Sequence, residues 1–226
     1  MTRVQSDSSW RGGCRSAELQ HRRDAIGDRR HRPSRNICEN GRMEDGVWLV
    51  LGIQASGKST VADLLARRFD RGIHVRGSQF SRWAVRGWTH PWDDDQVEAR
   101  RLLDLRYRLS ATVATEYCKA GFTTVVQDNI FGEDVPTWLQ SVPVRPRHLV
   151  VLRPSVAVVL QRDAVRQRER GKVAYRSGET DPDELDTLLA TTPQIGLWLD
   201  TSTQTPKETV QSILDQRSRA AVDSIL

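Results

Sequence analysis

Gly52-Ile53-Gln54-Ala55-Ser56-Gly57-Lys58-Ser59, followed by Thr60, fits the pattern G-x-x-x-x-G-K-[ST]. Val47–Leu51 ahead of it is a continuous apolar run of strand length, and Ser59–Phe69 behind it carries Val61, Leu64, Leu65 and Phe69 at helical spacing. A strand that leaves into such a loop and re-enters as a helix is the context in which the pattern cradles phosphate. The loop needs inward-pointing amides, hence glycines for close approach, and the helix N-terminus behind it adds partial positive charge. Gly52, Gln54, Ala55, Ser56, Gly57, Lys58, Ser59 and Thr60 are the candidate nucleotide-binding residues. Lys58 is expected to reach the β- and γ-phosphates of ATP, and the Ser59 hydroxyl to ligate Mg2+.

Working outward, short β-branched runs alternate with longer amphipathic stretches. Strands are expected at Ile73–Val75, Phe122–Val126, His148–Leu152 and Gly196–Leu199, with helices at Val97–Ala120 and Ser155–Arg170. Gly121 supplies a helix stop, and Thr205-Pro206-Lys207-Glu208 opens a last helix with a capping-box pattern and an early proline. Strands that are apolar throughout, separated by helices, predict an α/β fold: a five-stranded parallel sheet with helices on both faces. Residues 46–226 are read as this P-loop domain.

The chain of 226 residues carries a formal charge of +5, and the charge is unevenly placed. Residues 1–42 hold ten arginines against five acids, whereas residues 43–226 hold 24 basic and 24 acidic side chains. The basic stretch, taken as residues 1–45, is poor in large apolar side chains and is expected to be a disordered tail. A second expectation is that translation starts at Met43. A neutral body argues against a nucleic-acid partner. No apolar run reaches the ~18 residues of a membrane span, and three scattered cysteines suit a reducing, cytoplasmic setting. The sequence does not fix an oligomeric state.

Further candidates sit at strand ends and in one aromatic segment. Asp128 closes the third strand, where it would hold the Mg2+ through water or take a proton from an acceptor; the alternative is a turn-forming aspartate beside Asn129. Asp200 ends the last strand and is read as a wall on the adenine side. Arg162 and Arg166 are four apart on one helix, with Arg168 and Arg170 beyond, and could close over a triphosphate as a lid or form a solvated charged face. Trp83, Trp88 and Trp92 lie within ten residues near Arg82 and Arg86. With Ser78, Phe80, Arg82 and Trp83, this segment could shape a pocket for a small-molecule acceptor or simply cover the sheet edge. Asp93-Asp94-Asp95 is expected to start the following helix.

Together with the loop, Val75-Arg76-Gly77-x-Gln79-Phe80, Ala120-Gly121-Phe122-Thr123-Thr124-Val125-Val126-Gln127-Asp128 and Leu199-Asp200-Thr201 resemble a family. It is that of the small AAA-type P-loop kinases grouped with chloramphenicol phosphotransferase, zeta toxins and the kinase part of polynucleotide kinases. The resemblance covers roughly residues 46–216. It implies transfer of the γ-phosphoryl of ATP to a hydroxyl, an arginine-bearing lid at residues 162–170, and a strand ending in Asp128 beside the P-loop strand. One position departs from the family: where an aspartate is usual as general base, this chain has Ser78. The base then falls to Asp128 or to one of Asp93–Asp95, or transfer is slow. A kinase of a small molecule's hydroxyl is the first reading. The alternatives are a nucleic-acid end kinase and a nucleotide-binding module with weak or lost catalysis.

Overall fold

The computed structural model describes residues 45–171, 173–175 and 181–224; the expectations for the basic tail lie outside them, as does the side chain of Arg170. The elements in chain order are β1 (Val47–Leu51), α1 (Lys58–Ala66), β2 (Gly72–Arg76), α2 (Ser78–Arg82), α3 (Gln96–Lys119), β3 (Thr123–Gln127), α4 (Asp134–Ser141), β4 (Arg147–Leu152), α5 (Val156–Arg170), α6 (Pro182–Ala190), β5 (Leu197–Leu199), α7 (Pro206–Asp215) and α8 (Arg217–Ala220). The five strands pair in the order β2-β3-β1-β4-β5, every pair parallel. The sheet is therefore the one expected, with β3 beside the P-loop strand β1.

Strand residues alternate between two cores. Val47, Leu49, Leu51, Val126, Leu149 and Val151 pack with Ala111 and Ala114 of α3, Trp138 of α4 and Leu189 of α6. Trp48, Val50, Val125, Val150 and Leu197 pack on the other face with Val61 and Leu65 of α1 and Val210 and Ile213 of α7. Both faces are covered, which is why these strands read as unbroken apolar runs. Trp138 Nε1 donates to Ser110 Oγ at 2.9 Å and so joins α4 to α3 inside the first core.

Where the structure departs from the pattern, the cause is local. Helix α1 stops at Ala66 rather than Phe69 because Arg68 N and Phe69 N turn back onto the carbonyls of Leu65 and Ala66. That turn brings the Phe69 ring to 6.1 Å from Trp48. Helices α2, α4, α6 and α8 have 5, 8, 9 and 4 residues and are too short to declare a period. Of the three aspartates before α3, Asp95 is the cap, its Oδ1 accepting from Glu98 N at 2.9 Å. The Thr205–Glu208 capping box forms at α7 as read. Among the described residues no helix is long and apolar enough to cross a membrane.

Candidate functional site

The loop between β1 and α1 lies at the carboxyl ends of the strands, where open parallel sheets bind ligands. Gly52 has φ +145°, and a Cβ there would stand 2.5 Å from the Leu152 carbonyl oxygen and 2.6 Å from Ser56 Oγ, so the loop tolerates no side chain at that position. Gly57, with φ +100°, caps α1. Lys58 curls back over the loop: its Nζ donates to the Ile53 carbonyl at 2.6 Å, and only 7 % of the residue is exposed. Burial, reinforced by the nearby Arg106 and Arg166 charges, pulls its amine from 10.5 down to about 7. Buried beside two guanidinium charges, the amine gains from any anionic partner.

The end of β3 divides between two sides of the sheet. Val125 belongs to the α1 face and Val126 to the α3 face, so period two sends Gln127 toward α1 and Asp128 toward α3. Gln127 Oε1 accepts from Ser59 Oγ at 3.1 Å. Asp128 instead pairs through both oxygens with Arg106 of α3, and its Oδ1 also accepts from Asn129 N at 2.7 Å. Asp128, expected to hold Mg2+ through water or to take a proton, thus has Arg106 as its partner, and the side chain that meets Ser59 is that of Gln127. Gly77, at the end of β2, is pressed against this pair: a Cβ would lie 1.8 Å from Asp128 Oδ2. Ser78, which stands where an aspartate is usual in the resembling family, follows Gly77 at the first position of α2.

The arginine helix α5 does not present its pair as a single clamp. Arg162 donates from Nη1 to Ser56 O at 3.1 Å and from Nη2 to Thr201 O at 2.7 Å, strapping the P-loop to the turn after β5. Arg166, like Arg106, lies near enough for its charge to act on Lys58. It donates to Asp163 at 2.5 Å and leaves its buried Nε with no partner among the described residues. Asp163, itself buried, accepts from the amides of Ala174 and Tyr175. The Tyr175 hydroxyl in turn donates to Gln54 O in the P-loop at 2.6 Å. From the sequence Asp163 is read only as a partner for the arginines of its helix, which it is for Arg166; its contacts with Ala174 and Tyr175, and Tyr175 itself, are not foreseen because they depend on the chain folding back after α5. Arg168 is exposed. Asp200 is exposed, and hydrogen bonds from Ser202, then the Arg162 charge, hold its carboxyl below the usual range.

The aromatic segment is partly stacked on itself and partly exposed. The Phe80 ring meets Trp83 edge-on at 5.2 Å, while Trp92 stacks on His90 at 4.5 Å. Trp83 is 65 % exposed and Trp92 52 %. Phe80 and Trp83 do line a groove of about 400 Å³ along the outer edge of β2, with Ile73, Val113 and Tyr117. Arg82 is exposed. Asp93 and Asp95 are engaged by the amides of His90 and Glu98, and Asp94 is exposed.

A divalent cation would find neutral oxygens here. Among the described residues no group of three or more His, Cys, Asp or Glu is placed to hold a metal ion. Ser59 Oγ and Gln127 Oε1 nevertheless suit Mg2+, which keeps several waters and takes most of its remaining ligands from substrate phosphates.

A family model described as an AAA domain matches residues 47–192. No curated protein matches the chain. Among solved structures, a sugar kinase from Janibacter sp. is 18% identical with TM-score 0.52, over 77% of this chain and 95% of that one. A gluconokinase from Sinorhizobium meliloti is 16% identical with TM-score 0.51, over 80% and 95%. A shikimate kinase from Bacteroides thetaiotaomicron is 12% identical with TM-score 0.53, over 76% and 98%. At these identities the likeness is one of fold.

Proposed function

The chain belongs to the AAA domain family, its matching residues running from 47 to 192, and from that premise we propose that it is an ATP-dependent phosphotransferase that moves the γ-phosphoryl group to a hydroxyl of a small molecule. The observation that carries this reading is Lys58, a buried amine folded onto the Ile53 carbonyl of the loop and held at about 7 by its burial and by the charges of Arg106 and Arg166. Such a site gains most from a polyanion. The solved structures of similar fold named as sugar kinase, gluconokinase and shikimate kinase support a small-molecule acceptor.

In this reading Lys58 leaves the Ile53 carbonyl for the β- and γ-phosphates, and the loop amides and α1 N-terminus carry the remaining charge. Mg2+, held at Ser59, supplies neutralisation of charge on the transferred group. Arg166 turns from Asp163 to the γ-phosphoryl oxygens, while Arg162 keeps the loop in shape. Asp200 lies on the adenine side, and Ser78, Phe80, Arg82 and Trp83 border the acceptor. Of the expected bases for the acceptor proton, Asp128 is occupied by Arg106 and Asp93 and Asp95 by backbone amides, which leaves only the exposed Asp94 without such an engagement among the described residues. Transfer by positioning and charge stabilisation alone remains productive, at a loss of ~10²–10⁴-fold where a base normally helps.

That same occupancy favours one second reading, a nucleotide-binding module with weak catalysis. Calorimetry with ATP and Mg2+, followed by a screen of hydroxyl acceptors with γ-labelled ATP, separates the two. Labelled product that disappears in Lys58→Ala supports the phosphotransferase. Tight binding without product from any acceptor supports the module, and nucleotide affinity untouched in Lys58→Ala overturns both.

A further inference from the structure

The residue that faces the P-loop serine is an amide, and this has chemical consequences. A serine hydroxyl has one proton to donate and two lone pairs with which to accept or ligate. Here the proton is committed: Ser59 Oγ donates to Gln127 Oε1 at 3.1 Å. The lone pairs are thereby left to the side on which a nucleotide would lie. The orienting group is fixed in place, because Gln127 is 5 % exposed, lies in register with Val50 of β1 and Arg76 of β2, and accepts from Gly77 N at 3.0 Å through its carbonyl.

A carboxylate in that place would orient the hydroxyl equally well and would also attract the ion. The adjoining carboxylate on the strand end, Asp128, points to the other face and is paired with Arg106, and Asp63, one turn on in α1, is paired with Arg67. Around Ser59 the neighbouring charges offer a cation no unpaired anion, since Lys58 is the adjacent residue and the nearby Arg106 and Arg166 are paired with Asp128 and Asp163. A bare dication gains nothing from neutral oxygens set among such charges, and Mg2+ gives up its water reluctantly.

We infer that Gln127 is a positioning residue that turns the Ser59 hydroxyl to ligate a divalent cation arriving already chelated by nucleotide phosphates, and that its neutral amide leaves the nucleotide-free site without affinity for the ion alone. The inference rests on the nucleotide-binding reading above. Ion and nucleotide therefore enter together, and free Mg2+ does not pre-load the protein.

The test uses the full chain, Mn2+ alone followed by electron paramagnetic resonance, and ADP followed by calorimetry with Mg2+ or with EDTA. Wild type shows no saturable Mn2+ binding without nucleotide, and its ADP affinity rises when Mg2+ is present. Gln127→Glu acquires saturable Mn2+ binding without nucleotide. Gln127→Leu, its folding checked by circular dichroism, keeps its ADP affinity in EDTA but loses about 10-fold or more of the gain that Mg2+ confers. A merely structural glutamine would lower both ADP affinities together. Saturable Mn2+ binding to nucleotide-free wild type, no Mg2+-dependent gain in wild type, or an undiminished gain in Gln127→Leu each overturns the inference while leaving nucleotide binding intact. Absence of ADP binding under either condition removes the nucleotide reading itself, and the inference with it.

Discussion

Raising the pH from about 6.5 to about 8.5 should weaken nucleotide binding about 25-fold through Lys58 alone. In the free protein the Lys58 amine sits at about 7, against an ordinary 10.5, chiefly because it is buried and secondarily because Arg106 and Arg166 stand near it. It is then roughly three-quarters protonated at the lower pH and about 3 % protonated at the higher. Bound phosphate restores a partner for the charge and raises the pKa. The sign follows: affinity is fully present below the free value and declines as pH climbs from there toward the bound value. The ratio of protonated fractions is the ~25-fold, or about 2 kcal/mol. Calorimetry of MgATP binding in two buffers of different ionisation enthalpy gives both quantities, the dissociation constant and the proton uptake, which approaches one per site at the higher pH. Lys58→Met should bind weakly and lose this uptake. Equal affinities at both pH values with no uptake, or an identical slope in Lys58→Met, would refute the assignment of the buried amine as the titrating group.

Two further outcomes follow from the ends of β2 and β3. Gly77→Ala places a Cβ 1.8 Å from Asp128 Oδ2, so a loss of about 1–3 kcal/mol in urea unfolding is expected; unchanged stability would mean that the strand ends are further apart than described. Arg106→Leu strands the buried Asp128 carboxylate and should cost about 3–5 kcal/mol, with much of that recovered in Arg106→Leu/Asp128→Asn. Additive losses in that double variant would show that the two side chains do not interact.

The sequence disclosed the sheet and the loop because both are written in contiguous residues. Val47–Leu51 is apolar at every position since both faces of β1 are covered, and Gly52 to Ser59 carries its chemistry in its spacing. Helix α3 declared itself through 24 residues of period, whereas α2 and α8, with 5 and 4, hold too few turns to show one. Helix α6 could have been found from Asp181-Pro182, the same cap-then-proline order that announced α7. The site was legible at Lys58 and Ser59 and much less so at their partners. Whether Gln127 or Asp128 meets Ser59 depends on which face α1 covers, and the α1 side is fixed only by Val50 and Val125 packing against Val61 and Leu65. Tyr175 reaches Gln54 across 121 positions of chain, a distance no local pattern spans.

The Gln127-Asp128 dipeptide shows how little of this site's polarity is recorded in composition. Writing the pair in the opposite order would leave length, net charge and every residue count as they are. It would nevertheless deliver an anion to the P-loop serine and an uncharged amide to Arg106, inverting the electrostatics on both sides of one strand end. Two sequences identical in every bulk property can thus differ in whether an empty site recruits a metal, and the order of a single adjacent pair decides it.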